Sequence, residues 1–419
     1  MESIASIFSL NAYTTLFTKV MCLYWGFFGI TLMMYPQLFT QDGLPFVNPT
    51  AYWTTLSPET IFAFRMTGGS FLLIALAPKY FRMGVDGFVK MMLVGNFLVF
   101  NLFLYYGFYK PLDTAVPMMW KAQGYLCGAV LGWNIVEAVY PYQLKTNFNL
   151  FLAFFFGGFG VNLVSAPSLV FGPPSPIAYW NEWGDLADMA ARSLGVTILV
   201  LVSYGCYLHD SDSFIKQMNM FNLVNLGLFV IPAYFGGDSA VTWIWQAQCV
   251  MQVPIVIVNL VLRSALPKPK FDFSLPKPCG LNAQTFMYVN LWFYLPFVLA
   301  FATKPNLVFG PSTPGIPMFL EDMNETAVWF GRSWALGIFF MVLGPFAFGM
   351  QARLCAKQML VSYIFTCSLF VYEILTTSIF NLTLVIPMTG INFIFLIWNT
   401  IVVYRDARPT TTAGYRAMA

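Results

Sequence analysis

The sequence predicts an all-α membrane protein with about twelve transmembrane helices in three tandem, parallel four-helix repeats. Of its 419 residues, 58% are hydrophobic and 9% are charged, and the mean hydropathy is +0.68. Soluble domains carry roughly 25% charged residues. Apolar stretches near the ~20 residues that a helix needs to cross a bilayer recur along the chain. Short motifs and single polar residues also recur at nearly fixed separations.

Two motifs carry the repetition: Ser175–Trp180 echoes Asn48–Trp53, and Leu169–Pro173 returns as Leu307–Pro311. Recurring arginine, lysine and asparagine residues are 125 to 127 residues apart in one pair of copies and 140 to 141 in the next. A period above roughly 100 residues suits a small domain and is too long for a solenoid. The predicted repeats cover residues 1–141, 142–272 and 273–419, the last with the C-terminal tail.

Each repeat contains four apolar stretches, and we predict helices because a lipid-facing backbone must satisfy its own hydrogen bonds. The predicted spans are 15–36, 60–80, 89–109 and 115–138, then 148–171, 186–208, 217–236 and 240–263, and finally 284–307, 325–349, 355–377 and 380–404. Because four is even, all repeats enter the membrane in the same direction. Three parallel repeats most simply surround a pseudo-threefold axis along the membrane normal.

The charge distribution indicates the orientation. The side that holds both termini collects 15 Lys and Arg against 7 Asp and Glu, whereas the opposite side collects 6 against 11. Basic short loops stay on the side from which a protein is inserted. We therefore expect an integral membrane protein with both termini on the cytoplasmic, stromal or matrix side. Which membrane holds it stays open.

The second predicted helix of each repeat begins with an acid and carries an arginine about two turns in. These residues are Glu59 with Arg65, Asp185 and Asp188 with Arg192, and Glu325 with Arg332. In a structural interpretation, the acid complements the helix dipole and the arginine reaches back to it or to the headgroups. In a functional interpretation, three equivalent arginines surround the axis and gate or attract an anion.

Asn134, Asn259 and Asn399 recur late in the fourth helices. An amide at this depth typically bridges neighbouring helices, and ligand coordination is the alternative. Glu373 is an isolated acid near a predicted helix end. His209, beside two aspartates, is predicted to be a solvated loop residue.

The sequence predicts no enzymatic activity and no metal site. It has one histidine, and it lacks a Walker loop, a Gly-x-Gly-x-x-Gly motif, a His-Glu-x-x-His motif and a nucleophile elbow. Its seven cysteines form no Cys-x-x-Cys pair and indicate small apolar fillers.

Aromatic residues are abundant, with 44 Phe, 21 Tyr and 12 Trp. Their apolar faces suit membrane lipids, which are the expected contacts, and other membrane subunits. Chlorophyll or carotenoid rings are the alternative occupants. No defined cofactor site and no nucleic-acid partner are predicted.

A small residue follows each arginine by three positions and allows another helix to approach closely: Gly68, Gly195 and Ala335. This four-helix pattern resembles the small DoxX-like membrane proteins. The residues that carry the resemblance are Glu59, Arg65, Gly68 and Gly69, and more weakly Asp185, Arg192 and Gly195. The resemblance implies the architecture of the repeat and no activity.

Two functions fit these observations. The first is a non-catalytic accessory or scaffold subunit of a larger, energy-transducing membrane assembly that holds lipids or pigments. The second is a channel or secondary transporter for a small anionic solute along the pseudo-threefold axis. The missing catalytic motifs and the aromatic surface favour the first, whereas the recurring arginines favour the second.

Overall fold

The computed structural model describes residues 15–40, 51–80, 83–139, 144–173, 175–267, 281–311 and 315–407. In these ranges the chain forms helices and isolated main-chain bridges, with no strand. The long helices are α1 (Leu16–Met34), α2 (Pro58–Tyr80), α3 (Val85–Tyr109), α4 (Pro117–Val139), α5 (Leu144–Ser165), α6 (Asp185–Leu208), α7 (Ser211–Phe235), α8 (Thr242–Ser264), α9 (Ala283–Ala302), α10 (Glu325–Val342), α11 (Ala352–Thr376) and α12 (Leu382–Ala407).

Ten of the described helices are long and apolar enough to cross a membrane. The two long helices outside this set are α4 and α10. The predicted all-α fold is therefore confirmed, with ten candidate membrane-spanning helices. Twelve crossings stay a prediction.

Proline ends the first helix of each predicted repeat earlier than its apolar stretch. The residues before proline, Tyr35, Ala166 and Lys304, have φ between −134° and −154° and leave the helical conformation. Proline disfavours the helical conformation in the residue before it and donates no backbone hydrogen bond. The predicted spans 148–171 and 284–307 therefore end at Ser165 and Ala302, and a separate short helix follows each.

Polar side chains cap several helices at their start. The Asp210 carboxylate accepts from Ser213 N at 2.8 Å, and the side-chain oxygens of Asn282 and Asn324 accept from the backbone N–H groups of residues 285 and 327 at 2.8 and 2.9 Å. Each cap satisfies one of the backbone donors that the first turn leaves without a partner.

The described chain belongs to two compact units. Unit 1 comprises Met1–Leu144 with Gln246–Val261, and unit 2 comprises Lys145–Trp245 with Leu262–Ala419. Most of α8 thus packs with unit 1. Gly132 of α4 permits this, because a Cβ atom there would lie 3.0 Å from the Cα of Pro254. The boundaries of the three repeats stay a prediction.

Glycine contacts join a first and a second helix in both units. In unit 1, α1 packs on α2, and a Cβ atom added at Gly68 would lie 2.7 Å from the Gly29 carbonyl oxygen. In unit 2, a Cβ atom added at Gly195 of α6 would lie 2.8 Å from the Gly160 carbonyl oxygen of α5. Small residues let helix backbones approach this closely in membranes.

In each predicted repeat, a pair of main-chain hydrogen bonds joins the loop after the first helix to the loop before the fourth helix. The pairs are Thr54 N to Thr114 O and Val116 N to Tyr52 O; Asn181 N to Ser239 O and Val241 N to Tyr179 O; Leu320 N to Ile379 O and Asn381 N to Met318 O, all of 2.8 or 2.9 Å. Each bond satisfies loop backbone groups inside the protein.

Two matched substitutions, Gly68→Ala and Gly69→Ala, test the contact between α1 and α2. We expect Gly68→Ala to lower the melting temperature in detergent, because overpacking typically costs about 1–3 kcal/mol. A Cβ atom at Gly69 meets nothing within 4 Å, so Gly69→Ala should leave stability unchanged or raise it through helix propensity. Equal melting temperatures of the two variants would contradict the packing role of Gly68.

Candidate functional site

A group of charged side chains lies at the start of α6. Arg192 Nε donates to Asp188 Oδ2 at 2.7 Å, with the side chains 23% and 26% exposed. Arg192 Nη1 also donates to the Val164 carbonyl oxygen at 3.2 Å, at the end of α5. Trp183 Nε1 donates to the second Asp188 oxygen at 3.4 Å. Both charged groups therefore have several partners.

A third charged residue belongs to this group. Glu373, near the end of α11, is only 3% exposed and interacts electrostatically with Arg192, Asp188 and Asp185. The Arg192 guanidinium lies 5.9 Å from the ring centroid of Tyr372. The acid that the sequence leaves isolated therefore interacts with one cation and with two other acids. A separation of 181 residues gives no sequence signal for this pair.

Arg332 also bonds to the end of the preceding long helix. Its Nη2 donates to the Thr303 carbonyl oxygen at 2.8 Å and its Nε donates to that of Phe301 at 3.4 Å. The last carbonyls of a helix have no partner within the helix. Arg192 and Arg332 each satisfy such carbonyls in unit 2, an acceptor that neither interpretation of the arginines named. The anion-gate interpretation stays a prediction.

The other predicted charged residues have different surroundings. Arg65 is exposed and makes no hydrogen bond to another described residue, and the side chain of Glu59 lies outside the described part of the chain. Asp185 is exposed. Glu325 accepts a hydrogen bond from the Ser239 hydroxyl. The three recurring arginines therefore differ in their contacts.

Asn134 joins two helices of unit 1. Its Oδ1 accepts from Asn96 Nδ2 at 2.8 Å, and its Nδ2 donates to the Val89 carbonyl oxygen at 3.0 Å. Asn259 and Asn399 are fully buried, and neither amide has a partner among the described residues. Sequence reasoning missed Asn96, although its separation of 126 residues from Asn222 matches the repeat.

The prediction that His209 is a solvated loop residue is wrong. His209 is 8% exposed, and its Nε2 lies 3.2 Å from Gln358 Oε1. Gln358 Nε2 donates to the Val200 carbonyl oxygen at 3.0 Å, beside the π-helical turns Leu199–Tyr204. The histidine is buried because α11 brings Gln358 against the turn between α6 and α7.

Within the described residues, no group of three or more His, Cys, Asp or Glu side chains is arranged to hold a metal ion. Comparison with known proteins found no matching protein-family model, no matching curated protein and no matching solved structure.

A double-mutant cycle with Asp188→Asn and Arg192→Gln measures the strength of the Asp188–Arg192 ion pair. We expect a coupling free energy of about 1 kcal/mol, more than the ~0.3–0.5 kcal/mol typical of exposed helical pairs, because both partners are mostly buried. Asp86–Lys90 is the control, since it has the same spacing and a 2.7 Å bond but 77% and 64% exposure. Equal coupling free energies in the two cycles would contradict a strengthening of the Asp188–Arg192 pair by burial.

His209 predicts a pH dependence of stability. Burial lowers its pKa below the ordinary value, against the raising effects of the Gln358 hydrogen bond and the Asp210 charge. The unfolded chain then binds a proton at a higher pH than the folded chain, so this contribution to stability is fully present well above pH 6.5 and is lost as the pH falls through about 6.5. We expect the melting temperature to fall between about pH 7.5 and pH 5.5, and to fall less in His209→Asn. An identical pH profile of the variant would exclude this role.

Proposed function

We propose that this protein is a non-catalytic, multi-pass accessory or scaffold subunit of a larger membrane assembly. The observation that carries the proposal is the internal pairing of two of the three recurring arginines. Arg192 bonds to Asp188 and to a helix-end carbonyl, and Arg332 bonds to two such carbonyls. A solute pathway needs polar groups that exchange partners with the solute. Paired groups instead stabilise the packing of helices that have apolar outer surfaces.

The proposal includes a triplicated architecture. In support, the paired main-chain bonds between the outer loops recur at separations close to those of the sequence motifs. The donors Thr54, Asn181 and Leu320 are 127 and 139 residues apart. Trp120 and Trp245 repeat the pattern, since their Nε1 atoms donate at 2.9 Å to the carbonyl oxygens of Tyr52 and Tyr179.

We further propose that α5 contributes a surface for another membrane subunit. Phe148, Phe151, Phe155 and Phe159 form a ladder of contacting rings along this helix, with centroid distances of 5.3 to 6.4 Å. Beside it, Phe154 is 76% exposed. Aromatic residues are enriched in protein interfaces. The bias of basic loops supports a location of both termini on the cytoplasmic, stromal or matrix side.

Photo-crosslinking in the native membrane tests the scaffold role. A benzoylphenylalanine at Phe154 should give one discrete protein adduct, because the scaffold holds a fixed neighbour there. The control is the same group at Leu23 of α1, which is 57% exposed in unit 1 and should give chiefly lipid adducts. Lipid adducts alone at both positions would count against a partner on α5.

Flux through liposomes that contain the purified chain tests the transport alternative. An anion flux that Arg192→Gln abolishes and Lys90→Gln leaves unchanged would overturn the scaffold proposal. Absence of flux under an imposed gradient is the expected result.

A further inference from the structure

A cavity of about 460 Å³ lies in unit 1, where the C-terminal halves of α1 and α3 meet the N-terminal halves of α2 and α4. Eleven of its seventeen lining residues are aromatic. The volume falls within the roughly 300–1,000 Å³ typical of ligand pockets. Leu102 and Leu112 at its edge are exposed, so the cavity is accessible from the surface of the unit.

Unit 2 contains a matching pair of tryptophan and tyrosine residues, and another indole lies beside this pair. Trp245 Nε1 bonds to Tyr179 O as Trp120 Nε1 bonds to Tyr52 O. Beside Trp245, at 4.6 Å between ring centroids, lies the indole of Trp329 from α10. Trp329 is also 6.0 Å from Trp180. A flat aromatic ring therefore fits between these walls, and unit 1 leaves room for a ring from outside the chain.

Hydrogen bonds give the cavity one defined polar edge. The Tyr52 hydroxyl donates to Gln123 Oε1 at 2.7 Å, and Gln123 Nε2 donates to the Tyr24 oxygen at 2.5 Å. Burial, with a smaller contribution from Cys127, raises the pKa of Tyr52 to about 12, so this hydroxyl stays protonated. The Tyr24 proton has no acceptor among the described residues and is available to a ligand oxygen.

We propose that this cavity binds a planar, apolar ring with a ring carbonyl, as in a quinone. The ring lies between the aromatic side chains of Phe28, Phe71, Phe103 and Trp120, and its carbonyl oxygen accepts the hydrogen bond of Tyr24. Stacked and edge-to-face contacts of aromatic rings favour such an occupant over a saturated acyl chain. The site is independent of the scaffold role.

Equilibrium dialysis of the full chain in detergent micelles tests the site, with 2-methyl-1,4-naphthoquinone as the probe and 2-methylnaphthalene as the matched ring without carbonyls. We expect saturable binding of one naphthoquinone per chain. Tyr24→Phe should weaken it roughly three- to tenfold, the loss of one hydrogen bond, and leave methylnaphthalene binding unchanged. Thr67→Trp, which places an indole at the cavity wall, should reduce the binding of both probes.

Tyr105→Phe is the control, because it removes a hydroxyl from α3 outside the cavity lining. The affinity of Tyr105→Phe for naphthoquinone should equal that of the wild type. All variants should retain the helical circular dichroism of the wild type. Uptake that stays proportional to probe concentration, as in empty micelles, would overturn the proposal. Equal affinity of Tyr24→Phe and the wild type for naphthoquinone would also overturn it.

Discussion

The need of backbone polar groups in an apolar surrounding for partners within the protein governs this structure. With no water in the bilayer core, an unpaired backbone group costs several kcal/mol, roughly as much as a whole small domain can spare. Two irregular features of the described helices have such a compensation. Arg332 covers the carbonyls at the end of α9, and Gln358 bonds to the Val200 carbonyl where α6 changes to π-helical turns.

The glycine contacts and the loop bonds act together within each unit. Gly29 and Gly68 bring α1 and α2 within backbone contact, and the loop that follows α1 is then fixed by its bonds to Thr114 and Val116. Tight packing and a bonded loop therefore occur in the same half of this helix pair. In unit 2, the indole of Trp329 lies against Trp180 and Trp245, whereas in unit 1 a cavity lies beside Trp53 and Trp120.

Local patterns predicted the helices well, because apolar length and the prolines that end helices are properties of short segments. The Asp188–Arg192 bond was foreseeable for the same reason, since residues four apart share a helix face. The partners of Glu373 and His209 were not, because they lie 181 and 149 residues away along the chain. The cavity could not be predicted either. It forms where no side chain fills the space between helices, and a short sequence pattern does not show which space stays unfilled.

The three arginines show how a recurring residue can acquire different roles. Arg192 bonds to an acid and to a carbonyl, Arg332 bonds to two carbonyls, and Arg65 is exposed. A guanidinium has five donors in a rigid fork, so it can adapt to either kind of acceptor while it remains charged. A symmetric gate would require equal surroundings for all three arginines, because equal interaction with an ion at the axis needs equal electrostatics. The contacts are unequal, because Arg192 and Arg332 stabilise helix ends in unit 2 and Arg65 has no such contact.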